Sequence, residues 1–372
     1  MRILHITPSY KPAYHYGGPT VSVSRLAEAQ AEAQMDVTVF TTTADGAAEL
    51  QVPVAQAVPD NGVDIWYFPR WTGDHSHFSP ALLRHLWRHC GAFDVVNIHS
   101  WWNWVAFGAA FICRIKGAKT VVSPHGMLSP YTLGKRSRYW FQRSIGRWLL
   151  GKVAFFATSQ QERIEIQSII PGGRFYVAPN IVTLPGTAFT PAAESDVFRL
   201  LFLSRVHHKK GLEFLLDALH RLDRPWQLTI AGDGASAYTQ KLRKRIATLD
   251  LETRVHWVGW VKGEEKWQLI ADSDLMVLPS YNENFANVVI ESLALGTPVL
   301  VSNQVGLWNY VQNVDLGWIA ERNAAAILAA LHAAMDDSEK RARIRREAPQ
   351  IIRKDYDPAA VVSIYLDYYK SL

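Results

Sequence analysis

Leu275-Met276-Val277-Leu278-Pro279-Ser280-Tyr281-Asn282-Glu283-Asn284-Phe285-Ala286-Asn287-Val288-Val289-Ile290-Glu291-Ser292 is the stretch whose reading decides the fold. Its first four residues have the length and continuous apolar character of a strand buried on both faces, and a proline and polar residues then end it. A helix is expected from about Ala286 or Asn287, which puts Glu291 within about its first turn and Glu283 in the loop before it. A strand that passes through a polar loop into a helix is the repeating unit of a parallel sheet, and such sheets take ligands at the carboxyl ends of their strands. Two carboxylates therefore bracket one site. The N–H groups of the helix start suit a phosphate, whereas the carboxylates suit sugar hydroxyls. Read alone, the pair has a plainer explanation, with Glu291 complementing the helix dipole and Glu283 solvated.

The same unit recurs outward in both directions. Upstream, Arg2–Thr7, Val37–Thr42, Val63–Phe68, Val95–His99, Thr120–Ser123, Ala154–Thr158 and Tyr176–Ala178 are short β-branched and aromatic runs between helical patterns. Gly17-Gly18-Pro19 opens the first of those helices, with Val23, Leu26, Ala27 and Gln30 at helical spacing. Residues 183–197 mix Pro, Gly and small polar residues without periodicity and read as a linker. The alternation then restarts with Leu200–Ser204, a helix carrying Leu212, Leu215, Leu216 and Leu219, and the strands Leu228–Ala231, Val255–Val258, Leu275–Leu278 and Val299–Val301. The organisation expected is an α/β domain over 1–182, a linker over 183–197, a second α/β domain over 198–354, and a C-terminal helix over 355–372. Val361, Ile364, Tyr365 and Tyr368 form that helix's apolar face, which is expected to pack back on the first domain.

A chain of 372 residues, 48% hydrophobic and 20% charged, exceeds one comfortable core, which agrees with two domains. No apolar run approaches the roughly 18 residues of a transmembrane helix. The amino terminus enters a strand pattern directly, and Cys90 and Cys113 are too few for a disulfide framework or a thiolate metal cluster. A cytoplasmic protein is expected. Residues 1–190 hold 17 Lys+Arg against 11 Asp+Glu, and residues 191–372 hold 22 against 23, so the excess of +5 belongs to the first half. Nucleic acid, an anionic bilayer and a phosphorylated substrate all fit a basic face, and net charge does not choose between them.

The second constellation, Ser204-Arg205-Val206-His207-His208-Lys209-Lys210-Gly211, again lies between a buried strand and a helix. A helix N-terminus repels cations, so a cluster of them there is explained by an anion shared among Arg205, Lys210 and the backbone; a diphosphate fits. A lone basic turn in solvent is the plainer reading.

Together the two motifs reach a family. Arg-x4-Lys-Gly after a strand and, about eighty residues later, Glu-x7-Glu with an internal Phe-Ala and a trailing Leu-Gly-Thr-Pro-Val resemble the retaining group 1 glycosyltransferases of family four, of the bacterial surface-polysaccharide type. The resemblance spans nearly the whole chain, through Gly17-Gly18-Pro19, Ser123-Pro124-His125-Gly126-Met127, Ala178-Pro179-Asn180, Ala231-Gly232-Asp233-Gly234 and Ala271-Asp272-Ser273-Asp274. It implies a GT-B architecture, two Rossmann-like doubly wound parallel-sheet domains facing across a cleft. It also implies that Arg205 and Lys210 clamp the donor diphosphate, Glu283 contacts the transferred sugar and Glu291 the ribose. Backbone groups around Phe285, Ala286 and Asn287 line the phosphate and sugar end, and Gly17 and Gly18 approach the same phosphates. His125 matches the family histidine beside the transferred sugar, with a plain turn residue as the alternative. His99 and Trp101 are expected, more weakly, to bind the acceptor; the stretch Ser100-Trp101-Trp102-Asn103-Trp104 is equally readable as core.

The activity implied is transfer of a sugar from a nucleotide-diphosphate donor to a glycan or polyprenyl-linked glycan acceptor, with no cofactor. An epimerase or isomerase on the same architecture and a non-catalytic sugar-nucleotide-binding protein are the alternatives. Asp272-Ser273-Asp274 resembles a metal-binding Asp-x-Asp, but it precedes a strand and so sits at the wrong edge of a parallel sheet; no metal is expected. Gly232-Asp233-Gly234 lacks the third glycine of a dinucleotide fingerprint, since position 237 is Ala. Lys135 to Lys152 interleaves six cations with aromatic and leucine side chains, expected to place Phe141, Ile145, Trp148 and Leu149 on one helix face and Arg136, Arg143 and Arg147 on another. Peripheral contact with the anionic cytoplasmic face of the inner membrane and a core-packed helix with a solvated basic side are the two readings. No nucleic-acid reader module accompanies the patch.

Overall fold

The computed structural model describes every residue except Lys135, Ala188 and Glu194, and the side chains of the rest apart from His15, Arg136, Ser137, Tyr139 and Arg143. The chain forms two compact units, residues 1–182 with 358–372, and residues 183–357.

The first unit is built on an eight-stranded sheet in the order Arg174–Val177, Ala154–Ala157, Thr120–Ser123, Val95–His99, Arg2–Ile6, Asp36–Thr42, Val63–Phe68, Ala57–Asp60. All neighbours pair parallel except the last. That edge strand went unforeseen because Pro59 interrupts it, and an edge is where a sheet tolerates proline. Val95–His99, Thr120–Ser123 and Ala154–Ala157 are buried at every position, which is why apolar residues occupy both faces of each instead of alternating. Strand order reverses between Arg2–Ile6 and Val95–His99, so the ligand crevice of this sheet lies at their carboxyl ends. Helix Gly18–Glu32 leaves the first of them with Gly17 as its N-cap and Val23, Leu26, Ala27 and Gln30 buried.

The last helix, Pro358–Lys370, joins this unit through Val361, Val362, Tyr365 and Tyr369, which share a buried cluster with Ile3, Leu26, Val95, Val121 and Phe156. Its buried stripe is rotated from the expected one, since Ile364 is 37% exposed. The basic aromatic segment is not one regular helix. An α-helical turn over Arg136–Phe141 passes through a π-helical turn, Gln142–Gly146, into Arg147–Leu150. The inserted π-turn shifts the faces, so Leu149 and Leu150 go inside while Trp140, Ile145 and Trp148 are exposed. Lys135 and the side chains of Arg136 and Arg143 lie outside the described residues.

The second unit has a six-stranded parallel sheet ordered Val255–Gly259, Trp226–Ala231, Phe198–Leu203, Leu275–Leu278, Val299–Ser302, Gly317–Ala320. Gly317–Ala320 was not anticipated: its glycine lowers strand propensity, yet a Cβ there would sit 2.2 Å from the Val299 carbonyl oxygen, so close approach demands glycine. Residues 183–197 group with this unit, tied down by Ala192 N–H donating to Asp272 (2.8 Å) and Gln268 Nε2 to the Thr190 carbonyl (2.9 Å). Helix Ser338–Asp355 also stays here, with the Tyr310 hydroxyl 2.8 Å from the Asp355 carboxylate. No described helix is long and apolar enough to cross a membrane.

Candidate active site

Strand order in the second unit reverses between Phe198–Leu203 and Leu275–Leu278, and the loops leaving these two strands carry the two polar constellations. In the first loop, His207 Nδ1 accepts from the Lys209 N–H (3.1 Å) and starts a 3-10 turn, His208–Lys210. Gly211 then enters helix Leu212–His220 at φ +66°, where a Cβ would lie 2.2 Å from the Pro279 carbonyl oxygen. Only glycine lets the two loops touch there. The Tyr281 N–H donates to the Lys209 carbonyl (2.7 Å), the Glu283 N–H to Gln304 (3.0 Å), and the Gly306 N–H to the Glu283 carbonyl (2.8 Å). Held this way, Lys210 Nζ forms an ion pair with Glu283 Oε2.

Arg205 is exposed beside them. Lost hydration and then the charges of Arg205, His208, Lys209 and Lys210 lower the His207 pKa, so the cations act on one neighbourhood. Glu291 is the fifth residue of helix Asn287–Ala294, beyond the expected first turn, and its Oε1 accepts from Lys266 Nζ at 2.8 Å. Ala286, the N-cap of this helix, sits in the left-handed region at φ +70° and makes no side-chain cap hydrogen bond. Phe285 is 2% exposed, with its ring 6.1 Å from that of Tyr356, so its ring is a core anchor and only its backbone is available to a ligand.

In the first unit Gly17 adopts φ +79° at its helix start, and a Cβ on Gly18 would meet no atom within 4 Å, leaving open space. His125 and Gly126 follow strand Thr120–Ser123 in two successive left-handed conformations, φ +52° and +78°. Glu162 holds this turn: its carboxylate accepts from the Gly126 N–H (2.6 Å), the Thr158 N–H (2.7 Å) and the Thr158 hydroxyl (2.9 Å). Burial lowers the His125 pKa to about 4.

Neither acceptor candidate faces solvent. His99 is 1% exposed and lies behind His125, with its Nδ1 3.0 Å from His125 Nε2; burial holds its pKa well below the ordinary value. Trp101 is fully buried and donates to Gln142 Oε1 at 3.1 Å, because the π-turn brings that amide inward. Trp104 is the exposed ring of that stretch, at 54%. Asp272 and Asp274 are occupied at the amino end of strand Leu275–Leu278, Asp274 by Arg199 through contacts of 2.9 and 3.1 Å.

Lys266 and Glu162 were not singled out from the sequence. Glu162 stands three residues after Ser159, whose hydroxyl accepts from the Glu162 N–H at 3.2 Å; this capping-box spacing was the available signal.

Residues 16–184 match the family model described as glycosyltransferase family 4, and residues 188–351 the one described as glycosyl transferases group 1. The chain is a group 1 glycosyltransferase. This glycosyltransferase is 28% identical to a D-inositol 3-phosphate glycosyltransferase of Pseudarthrobacter chlorophenolicus, over 93% of this chain and 88% of that one. It is 27% identical to a glycogen synthase of Mycobacterium tuberculosis, over 99% and 94% respectively. The structure of Anabaena HepE in complex with UDP and glucose superposes with a TM-score of 0.77 over the full length of both chains at 21% identity. Its two parallel-sheet units are those of the GT-B fold.

Proposed function

We propose that this glycosyltransferase is a retaining, metal-independent enzyme that moves a sugar from a nucleotide diphosphate to a glycan or lipid-linked saccharide in cell-surface polysaccharide assembly. The observation that carries the donor assignment is the Lys210–Glu283 pair, held at the point of strand reversal, with Arg205 exposed in the same loop as Lys210. A cation and a carboxylate fixed side by side match a ligand that is anionic at its diphosphate and rich in hydroxyls at its sugar. In this reading Lys210 and Arg205 take the diphosphate and Glu283 the sugar, while Glu291, steadied by Lys266, takes the ribose. Backbone groups at Phe285 to Asn287, at Gly17 and at Gly18 serve the phosphates, and His125 binds the transferred sugar.

The sugar C1–O bond to the β-phosphate breaks as the acceptor oxygen bonds C1 from the same face. The departing phosphate oxygen takes the acceptor proton, and the charge that develops on the nucleotide is stabilised by Arg205 and Lys210. No side-chain nucleophile enters.

We place the enzyme in the cytoplasm, resting on anionic membrane through Trp140, Ile145 and Trp148, with Arg147 exposed and the Arg114 guanidinium 4.6 Å from the Trp148 ring. Flotation with anionic liposomes, abolished by Arg147→Glu with Trp148→Glu, tests that contact.

The site is tested by Lys210→Ala and Glu283→Ala. Each should abolish transfer with a nearly unchanged melting temperature, and retained transfer in either removes the assignment. A thermal-shift panel of UDP-, GDP- and ADP-sugars finds the donor, starting from UDP-glucose because HepE binds UDP and glucose. Acceptor-free conversion of that donor into an isomeric sugar would instead identify an epimerase.

A further inference from the structure

Three imidazoles form a chain inside the first unit. Gln30 Oε1 lies 2.7 Å from His5 Nε2, His5 Nδ1 lies 2.8 Å from His99 Nε2, and His99 Nδ1 lies 3.0 Å from His125 Nε2. The rings stack in sequence, with centroids 5.1 and 5.3 Å apart. Gln30 and His5 are fully buried, so water does not substitute for any partner at the inner end.

This arrangement has a polarity. A neutral imidazole carries one N–H and one lone pair, and an amide oxygen only accepts. Gln30 Oε1 therefore requires the His5 proton on Nε2, which leaves His5 Nδ1 as a lone pair. His99 must then hold its proton on Nε2 to donate to His5, and His125 must do the same to donate to His99. The nitrogen left over at the outer end, Nδ1 of His125, is a lone pair. Charging His5 or His99 would destroy the order, because an imidazolium donates from both nitrogens and would set two N–H groups face to face. Burial opposes such charging, since it lowers His5 and His125 to about 4 and His99 further still. At the inner end Asn97 Nδ2 donates to the Tyr369 hydroxyl at 2.9 Å, and Asn97 Oδ1 accepts from the Ser123 hydroxyl at 2.9 Å.

We infer that Gln30, His5 and His99 are positioning residues that set His125 as a hydrogen-bond acceptor, so that its Nδ1 takes a hydrogen bond from a hydroxyl of the transferred sugar. The inference rests on the assignment of His125 to that sugar and adds which way the hydrogen bond runs and what fixes it. It makes His125 a hydrogen-bond acceptor and not a donor toward the sugar at neutral pH, and it gives a role to Gln30, one of the polar side chains this helix buries along with Thr20, Ser22, Ser24 and Glu28.

The test is long-range 1H–15N correlation spectroscopy on the full chain carrying 15N-histidine, which reads each ring's tautomer without any substrate. At pH 7 the wild type is expected to show His5, His99 and His125 as neutral Nε2–H tautomers; Nδ1–H or imidazolium signals from them overturn the inference. Gln30→Met keeps the side-chain length and removes the terminal acceptor. It should let His125 populate the Nδ1–H form and lower kcat roughly tenfold, the worth of one hydrogen bond, with donor KM unchanged. A folded Gln30→Met protein whose His125 stays wholly Nε2–H refutes the relay, and should that variant not fold, the wild-type tautomers decide alone. Nε2–H tautomers in a protein that no nucleotide sugar stabilises uphold the polarity and overturn the glycosyltransferase site reading instead.

Discussion

Glu162→Ala should cripple the turn that presents His125 while leaving the proposed diphosphate contacts of Lys210 and Arg205 intact. The carboxylate is 2% exposed and accepts three hydrogen bonds, two from Thr158 and one from the Gly126 N–H. Thr158 is itself 3% exposed, so its N–H and O–H would lose these hydrogen bonds out of reach of water, at about 1–3 kcal/mol each. Gly126 is half-buried and can turn its N–H to solvent, adding little. Against this, the left-handed conformation of His125, φ +52°, stores about 1 kcal/mol that the freed turn would release. The net loss is about 3 kcal/mol, which at a urea m-value of about 3 kcal/mol per molar lowers the unfolding midpoint by about 1 M. Transfer, measured where the variant is fully folded, should fall more than tenfold because the imidazole no longer holds its place. The stabilisation given by the donor nucleotide sugar should persist, since Lys210 and Glu283 belong to the other unit. A midpoint within about 0.3 M of wild type, or unimpaired transfer, would refute the reasoning.

Gly211→Ala places a methyl at φ +66° against the Pro279 carbonyl, and should cost about 2 kcal/mol or more in urea unfolding while raising donor KM, because the Lys210 and Glu283 loops must part. Acidification should destabilise the first unit before its carboxylates titrate. Burial lowers His5 to about 4, as do burial and then the Arg70 charge for His77, so below pH 6.5 the unfolded chain binds the protons and stability drops; from pH 7 to 5 each loses about 2 kcal/mol. Urea midpoints that rise over that interval would contradict it. Dialysis against EDTA should leave transfer unchanged, and activity lost and then restored by Mn²⁺ would bring back Asp272 and Asp274 despite their contacts with Ala192, Gln268 and Arg199.

Most of the sheet was legible because its strands are buried on both faces and so spell continuous apolar runs. Ala154–Ala157 and Leu275–Leu278 needed no context. The two missed strands of the main sheets fail for opposite local reasons, Pro59 at one edge and Gly317 at another, and in each case a neighbour's backbone outweighs propensity. The segment after Lys135 misled differently. A 3.6-residue period predicts one set of faces, but the π-turn over Gln142–Gly146 shifts the register, and nothing in the order of residues announces it. Gly146 is the physical trace: a Cβ there would lie 2.5 Å from Gln142 Oε1, the same oxygen that receives Trp101 Nε1–H.

The candidate residues of the two units differ in legibility for a related reason. Arg205, Lys210 and Glu283 lie on two loops that directly follow strands and Glu291 in the helix after the second, so each stretch reveals its chemistry, and the sheet then brings Lys210 to Glu283. His125 was readable as a site residue, but the groups that govern it are distributed. His5 lies in the first strand, Gln30 near the end of the first helix, His99 at the end of the strand after the reversal, and Glu162 in a helix 36 residues beyond the Gly126 N–H it holds. Each is unremarkable alone, for a histidine at a strand end is usually core and a glutamine on a helix usually solvated. What makes them a device is the parallel register that aligns His5 with Asn97, one strand over, and His99 with Ser123 in the next. Sheet pairing thus sets the carboxyl ends of three adjacent strands side by side, and a proton position at His125 becomes a property of an amide buried three partners away.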